Sequence, residues 1–134
     1  MFLSLLSESQ KVSFARLARY VIAADEVVDE NEQWLMHLAL HEMGLTEWPK
    51  PPESEEAFLN ELEAFDNPIS KNILIIELLC MSLADGEIDP REREVIDQIV
   101  SNRRIRHARL EDFREYASEY LDLVERGEDL ITAR

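Results

Sequence analysis

The chain has 134 residues, 46% of them hydrophobic and 32% charged. This is one domain's worth of chain with enough apolar side chains for a core, which excludes a disordered segment. Fourteen basic and 29 acidic side chains leave a formal net charge of -15; such a surface repels phosphate backbones and anionic lipid, arguing against nucleic acid as a partner and for cations or basic proteins.

The opening Met1-Phe2-Leu3-Ser4-Leu5-Leu6 is apolar but lacks a basic flank, and Glu8 and Lys11 interrupt it. It reads as the start of a docked helix rather than a signal peptide or membrane span. Helical spacing predicts a first helix from about Glu8 to Ala24, with Phe14, Leu17, Ala18, Val21 and Ile22 on one stripe. A second, from about Glu30 to Met43, presents Leu35, Met36, Leu38, Ala39 and Met43, and Gly44 caps its end. Pro49, Pro51 and Pro52 make the next stretch a loop.

A short third helix starts near Ser54 and carries Phe58, Leu62 and Phe65; Asp66-Asn67-Pro68 ends it. The fourth, Ile69 to Ala84, is apolar on nearly every side, the mark of a central helix. It holds the single cysteine, Cys80, a buried thiol that fits a reducing compartment, so a cytoplasmic protein is expected. Glu77 in the same helix requires a partner. An arginine from another helix is the favoured one, and joining an acidic site from behind is the alternative. The fifth helix begins at Pro90 with Val95, Ile96, Ile99 and Val100 inward. A sixth, from about Ala108 to Val124, uses Leu110, Phe113, Ala117, Tyr120, Leu121 and Val124, and Gly127 ends it. The expectation is an all-α fold: a single compact domain over residues 1–134, with about six to seven helices.

Two stretches match without gaps. Ala24-Asp25-Glu26-Val27-Val28-Asp29-Glu30-Asn31-Glu32 aligns on Ala84-Asp85-Gly86-Glu87-Ile88-Asp89-Pro90-Arg91-Glu92. The pattern A-D-x-x-[VI]-D-x-x-E thus occurs twice on a helix–acidic loop–helix frame. This predicts a pseudo-twofold internal repeat, with units of approximately 8–44 and 69–105.

Helix capping accounts for part of the motif. Asp89 suits the N-cap, Pro90 the first helical position and Glu92 the third, and Asp29 and Glu32 repeat the arrangement. Asp25 and Asp85 are left over, each closing a helix where the macrodipole disfavours negative charge. If the copies face each other, Asp25, Asp29, Glu32, Asp85, Glu87, Asp89 and Glu92 gather in one region. Two carboxylates about 6 Å apart repel by roughly 3 kcal/mol at an effective dielectric of 20. Such hard oxygen ligands suit Ca²⁺, Mg²⁺ or Mn²⁺. The spacing is not that of an EF-hand, which needs ligands at loop positions 1, 3 and 5 and glycine at 6. Capping alone and capping with cation binding both fit the residues.

With Ala24-Asp25, Val28-Asp29 and Glu32, then Ala84-Asp85-Gly86-Glu87-Ile88-Asp89 and Glu92, and their flanking helices, the chain resembles the TerB-like family of bacterial tellurite-resistance and stress-response domains. The resemblance runs from roughly Phe2 to Val124; Glu26 departs from the family's A-D-G. It implies an all-helical domain with clustered acids, which binds divalent metal or docks partner proteins of stress-response or membrane-associated complexes. Peripheral placement at the inner membrane through such partners goes with it. No catalytic activity is implied.

The remaining candidates are weaker. His37 and His41 stand four apart on the outer face of the second helix, without an obvious third ligand. Arg103, Arg104, Arg106, His107 and Arg109 form the basic run. It is expected to pair with the protein's own acids, and gripping an anionic partner is the alternative. Trp34 and Trp48 are expected in core or loop packing. Signatures of nucleotide-binding, zinc-protease or serine-hydrolase sites are missing. The function expected is therefore a non-catalytic binding module, with a divalent-cation sensor and a metal-dependent hydrolase as alternatives.

Overall fold

A computed structural model describes residues 1–22, 30–84 and 88–133, without the side chains of Asn31 and Glu32. A 3-10 turn, Leu3–Leu5, precedes six α-helices: α1 Glu8–Ile22, α2 Glu30–Glu42, α3 Glu55–Leu62, α4 Pro68–Ser82, α5 Pro90–Asn102 and α6 His107–Thr132. No strand occurs among the described residues.

Several helix boundaries have a local cause. Ser7 and Gln10 form a reciprocal capping box at α1: the Gln10 amide donates to Ser7 Oγ at 3.2 Å, and the Ser7 amide donates to Gln10 Oε1 at 3.0 Å. At α4, Asn67 Oδ1 accepts the Ser70 amide at 2.9 Å and Pro68 opens the first turn. Gly44 ends α2 at φ 73°, with its amide on the His41 carbonyl and the Leu45 amide on the Leu40 carbonyl, both at 3.0 Å. This is a Schellman closure, which favours glycine at the left-handed position. The same closure ends α5, but there Arg104 takes the left-handed conformation, at φ 56°.

These features recur at an offset of 60 residues. Helix α1 maps onto α4 at both ends (8 to 68, 22 to 82), and α2 maps onto α5 at both ends (30 to 90, 42 to 102). The caps Ser7 and Asn67 obey the offset, and so do the closures at Gly44 and Arg104. Packing matches the offset in part: α3 lies on α1 and α6 on α4, and α1 meets α5 as α4 meets α2, but α4 also packs on α5. Helices α1 and α4 touch at the centre. There Phe14, Leu17, Leu74, Ile75, Leu78 and Leu79 are fully buried.

Several expectations need correction. The chain start is a 3-10 turn rather than a helix, although Leu3 and Leu6 dock it in the core. On α2 the inward stripe is Met36, Ala39, Leu40 and Met43, at i, i+3, i+4 and i+7, which leaves Leu38 42% exposed. Ile69 also points outward. Gly127 does not end α6, which continues to Thr132. Unlike Gly44, it has no positive φ, so it sits as an ordinary if weak helix residue.

Candidate functional site

Asp25, Asp29, Asp85, Glu87 and the side chain of Glu32 lie outside the described residues. Asp89 and Glu92 are described. Asp89 caps α5 as expected, its Oδ1 accepting the Arg91 amide at 2.8 Å. Glu92 is drawn into the interior at 2% exposure. Asp89 therefore serves the start of α5. Among the described residues no group of three or more His, Cys, Asp or Glu could hold a metal ion. His37 and His41 are exposed, with His37 stacked beside Trp34 at 6.5 Å between ring centroids.

In the basic run, His107 Nε2 lies 3.9 Å from Glu111 Oε1, while the arginines are engaged otherwise. Arg103 donates to the Phe65 carbonyl at 3.2 Å and to Asn102 Oδ1 at 2.9 Å, and Arg109 lies over the Phe113 ring at 5.0 Å. Arg103, Arg104, Arg106 and Arg109 make no ion pair with an acid among the described residues. The run closes α5 and opens α6, so its side chains are used locally or project outward.

Glu77 has a different partner from the arginine expected. Its carboxylate accepts the Phe2 amide at 2.7 Å and lies 3.1 Å from the Met1 ammonium, which also donates to Glu42 at 2.9 Å. Burial pushes the Glu77 carboxyl above its usual range, although the Phe2 amide and the ammonium both pull it down. Burial lowers the Met1 amine, but the Glu77 and Glu42 carboxylates outweigh it and hold the amine above its usual 8.0. Cys80, one turn on, is buried as expected, and its thiol is pushed up to about 12 by burial and then by Glu77. Such a thiol stays protonated and is a poor nucleophile. The nearby Tyr120 hydroxyl is raised by burial, with smaller contributions from Cys80 and Glu77. This cluster ties the chain start to α2 and α4.

The surface feature that sequence reasoning missed lies over α4. Trp34, expected in packing, is 53% exposed, whereas Trp48 does pack on the core. Trp34 borders a depression of about 520 Å³ between α2, the end of α4 and the second half of α6. Leu35, Leu83, Leu121 and Val124 supply its apolar lining, and Asp122, Glu125 and Glu128 its charged one. Elsewhere on α6, Leu123, Leu130 and Ile131 stand exposed.

No family model matches the chain, and no curated protein or solved structure matches it significantly. No helix among the described residues is long and apolar enough to cross a membrane.

Proposed function

We propose that this chain is a non-catalytic stress-response module of the TerB-like type that acts by binding partner proteins, which include members of membrane-associated complexes. The observation that carries the reading is Trp34, 53% exposed beside a depression lined by Leu35, Leu83, Leu121 and Val124. A large aromatic side chain left in water beside apolar lining is what partner-binding surfaces present. The twin A-D-x-x-[VI]-D-x-x-E turns, at the offset that also relates the helix ends, support a duplicated helical hairpin with pseudo-twofold symmetry. In the second turn the Asp89 cap on the Arg91 amide supports helix capping.

The test is site-specific photo-crosslinking in the native cell. A photoreactive residue is placed in turn at exposed positions 5, 69, 106 and 123. Discrete adducts with other proteins are expected from at least one position, together with reduced growth under oxidising or metalloid stress when the chain is deleted. A chain that yields no adduct from any position overturns the partner-binding reading; unchanged stress tolerance overturns the stress-response part.

A further inference from the structure

We propose that the trough between α2 and α6 is the docking site for a basic amphipathic helix of a partner protein. This deepens the partner-binding reading above and rests on it. Helices α2 and α6 flank α4 and scarcely touch one another, so the end of α4 forms the bottom of an open channel. The channel continues along the outer face of α2, where Glu30, His37 and Glu128 line a second depression that also contains Trp34.

The molecule supplies its own comparison. Under the 60-residue offset, α2 corresponds to α5, and α6, through its packing on α4, corresponds to α3. A depression lies between α5 and α3 as well. There the equivalents of Trp34, His37 and Leu38 are Glu94, Asp97 and Gln98. The architecture therefore does not need large apolar side chains at these positions. The core-facing pairs, by contrast, keep their apolar character: Met36 with Ile96, and Ala39 with Ile99. Helix α6 also has 26 residues where α3 has 8, and the extra length builds the far wall of the channel. At the offset, one depression thus carries Trp34 where the other carries Glu94.

The charge around this face selects the partner. Glu30, Asp122, Glu125 and Glu128 line it, no lysine or arginine does among the described lining residues, and none of the four forms an ion pair among the described residues. A second copy of the chain seated symmetrically would set these acids against themselves. A basic partner neutralises them, and the net charge of -15 draws it in at a distance. The shape favours a helix, because a third rod laid between two helices packs ridges into grooves and presents apolar anchors every three or four residues. Trp34 at the rim offers its ring face to a lysine or arginine of that helix.

The full chain is titrated with three synthetic peptides of about 18 residues, or five helical turns. One has leucines at helical spacing flanked by lysines, one has the same composition scrambled, and one has glutamates in place of the lysines. Binding is followed by tryptophan fluorescence and amide NMR. The basic amphipathic peptide should saturate, shift residues of α2, the end of α4 and the second half of α6, and bind roughly tenfold tighter than either control. Trp34→Glu, which copies the counterpart position on α5, should leave circular dichroism unchanged and weaken that peptide roughly tenfold. The exposed pair Glu125→Lys and Glu128→Lys should do the same. Equal binding of the scrambled peptide, preference for the acidic one, shifts on another face, or undiminished binding by both folded variants overturns the proposal. So does sedimentation of the chain alone as a dimer that Trp34→Glu dissociates. In each of these cases cross-linked adducts from other positions leave the partner-binding reading standing. Absence of adducts everywhere removes that reading as well.

Discussion

Glu77 is a carboxylate only 5% exposed within the most apolar helix, α4. It is tolerated because the Phe2 amide and the Met1 ammonium meet it. The amine's folded pKa is raised above 8.0, so its contribution to stability is complete below pH 8 and is lost as pH rises through the raised value. Cys80, raised from 9.0 to about 12, adds a loss of the same sign from about pH 9 upward. Urea unfolding should therefore show stability falling from pH 8 towards pH 10. In Glu77→Gln, which keeps an acceptor for the Phe2 amide but removes the charge, the decline between pH 8 and 9 should be shallower. An unchanged slope would mean that the ammonium and Glu77 are not coupled. Sequence reading recognised that Glu77 needs a partner but not which one, because the partner lies 75 residues away and no local pattern encodes it.

At the level of elements, caps and closures were the most legible feature. Asp89 and Pro90 at α5 and Gly44 at α2 act as their residue types dictate. Glycine at 127 predicts a stop, but α6 runs through it because nothing after it forces the chain to turn. A Cβ built at Gly127 meets no atom within 4 Å. Gly127→Ala should therefore gain up to about 1 kcal/mol from helix propensity alone. The gain should appear as slower amide exchange across the last two turns of α6, with no change in the core. Loss of stability would mean that the glycine makes a packing contact in solution. Leu38 was misplaced for a different reason. Residues 35, 36, 38, 39 and 43 all fit a broad apolar arc, and only the position of α4 decides that Met36, Ala39, Leu40 and Met43 turn inward.

For the whole molecule, the crossed packing has a consequence for folding. Helix α1 rests on α5 and α4 on α2, so each half of the chain buries its helices against the other. Isolated helices of 13 to 15 residues are marginal in water. A fragment of residues 1–66 should consequently lose much of its helix by circular dichroism when alone, whereas 67–134 keeps α4 on the 26-residue α6 and should retain more. Mixing them should recover most of the helical signal of the intact chain. Full helical signal from the 1–66 fragment alone would contradict the crossed arrangement. The excess of acid over base opposes compaction through self-repulsion, and the α2–α6 trough concentrates that repulsion where a cationic partner relieves it.

The all-helical class, the order and approximate limits of the helices, their caps and the duplicated acidic pattern were determined by the amino-acid sequence itself. All of these depend on interactions among residues within a few positions of one another, which periodicity and capping chemistry record directly. The partner of Glu77, the outward turn of Trp34 and Leu38, and the continuation of α6 as one wall of a channel were decided only by tertiary structure. Each depends on where a distant helix lies, and a stripe of apolar residues states that a face is to be covered without stating by what.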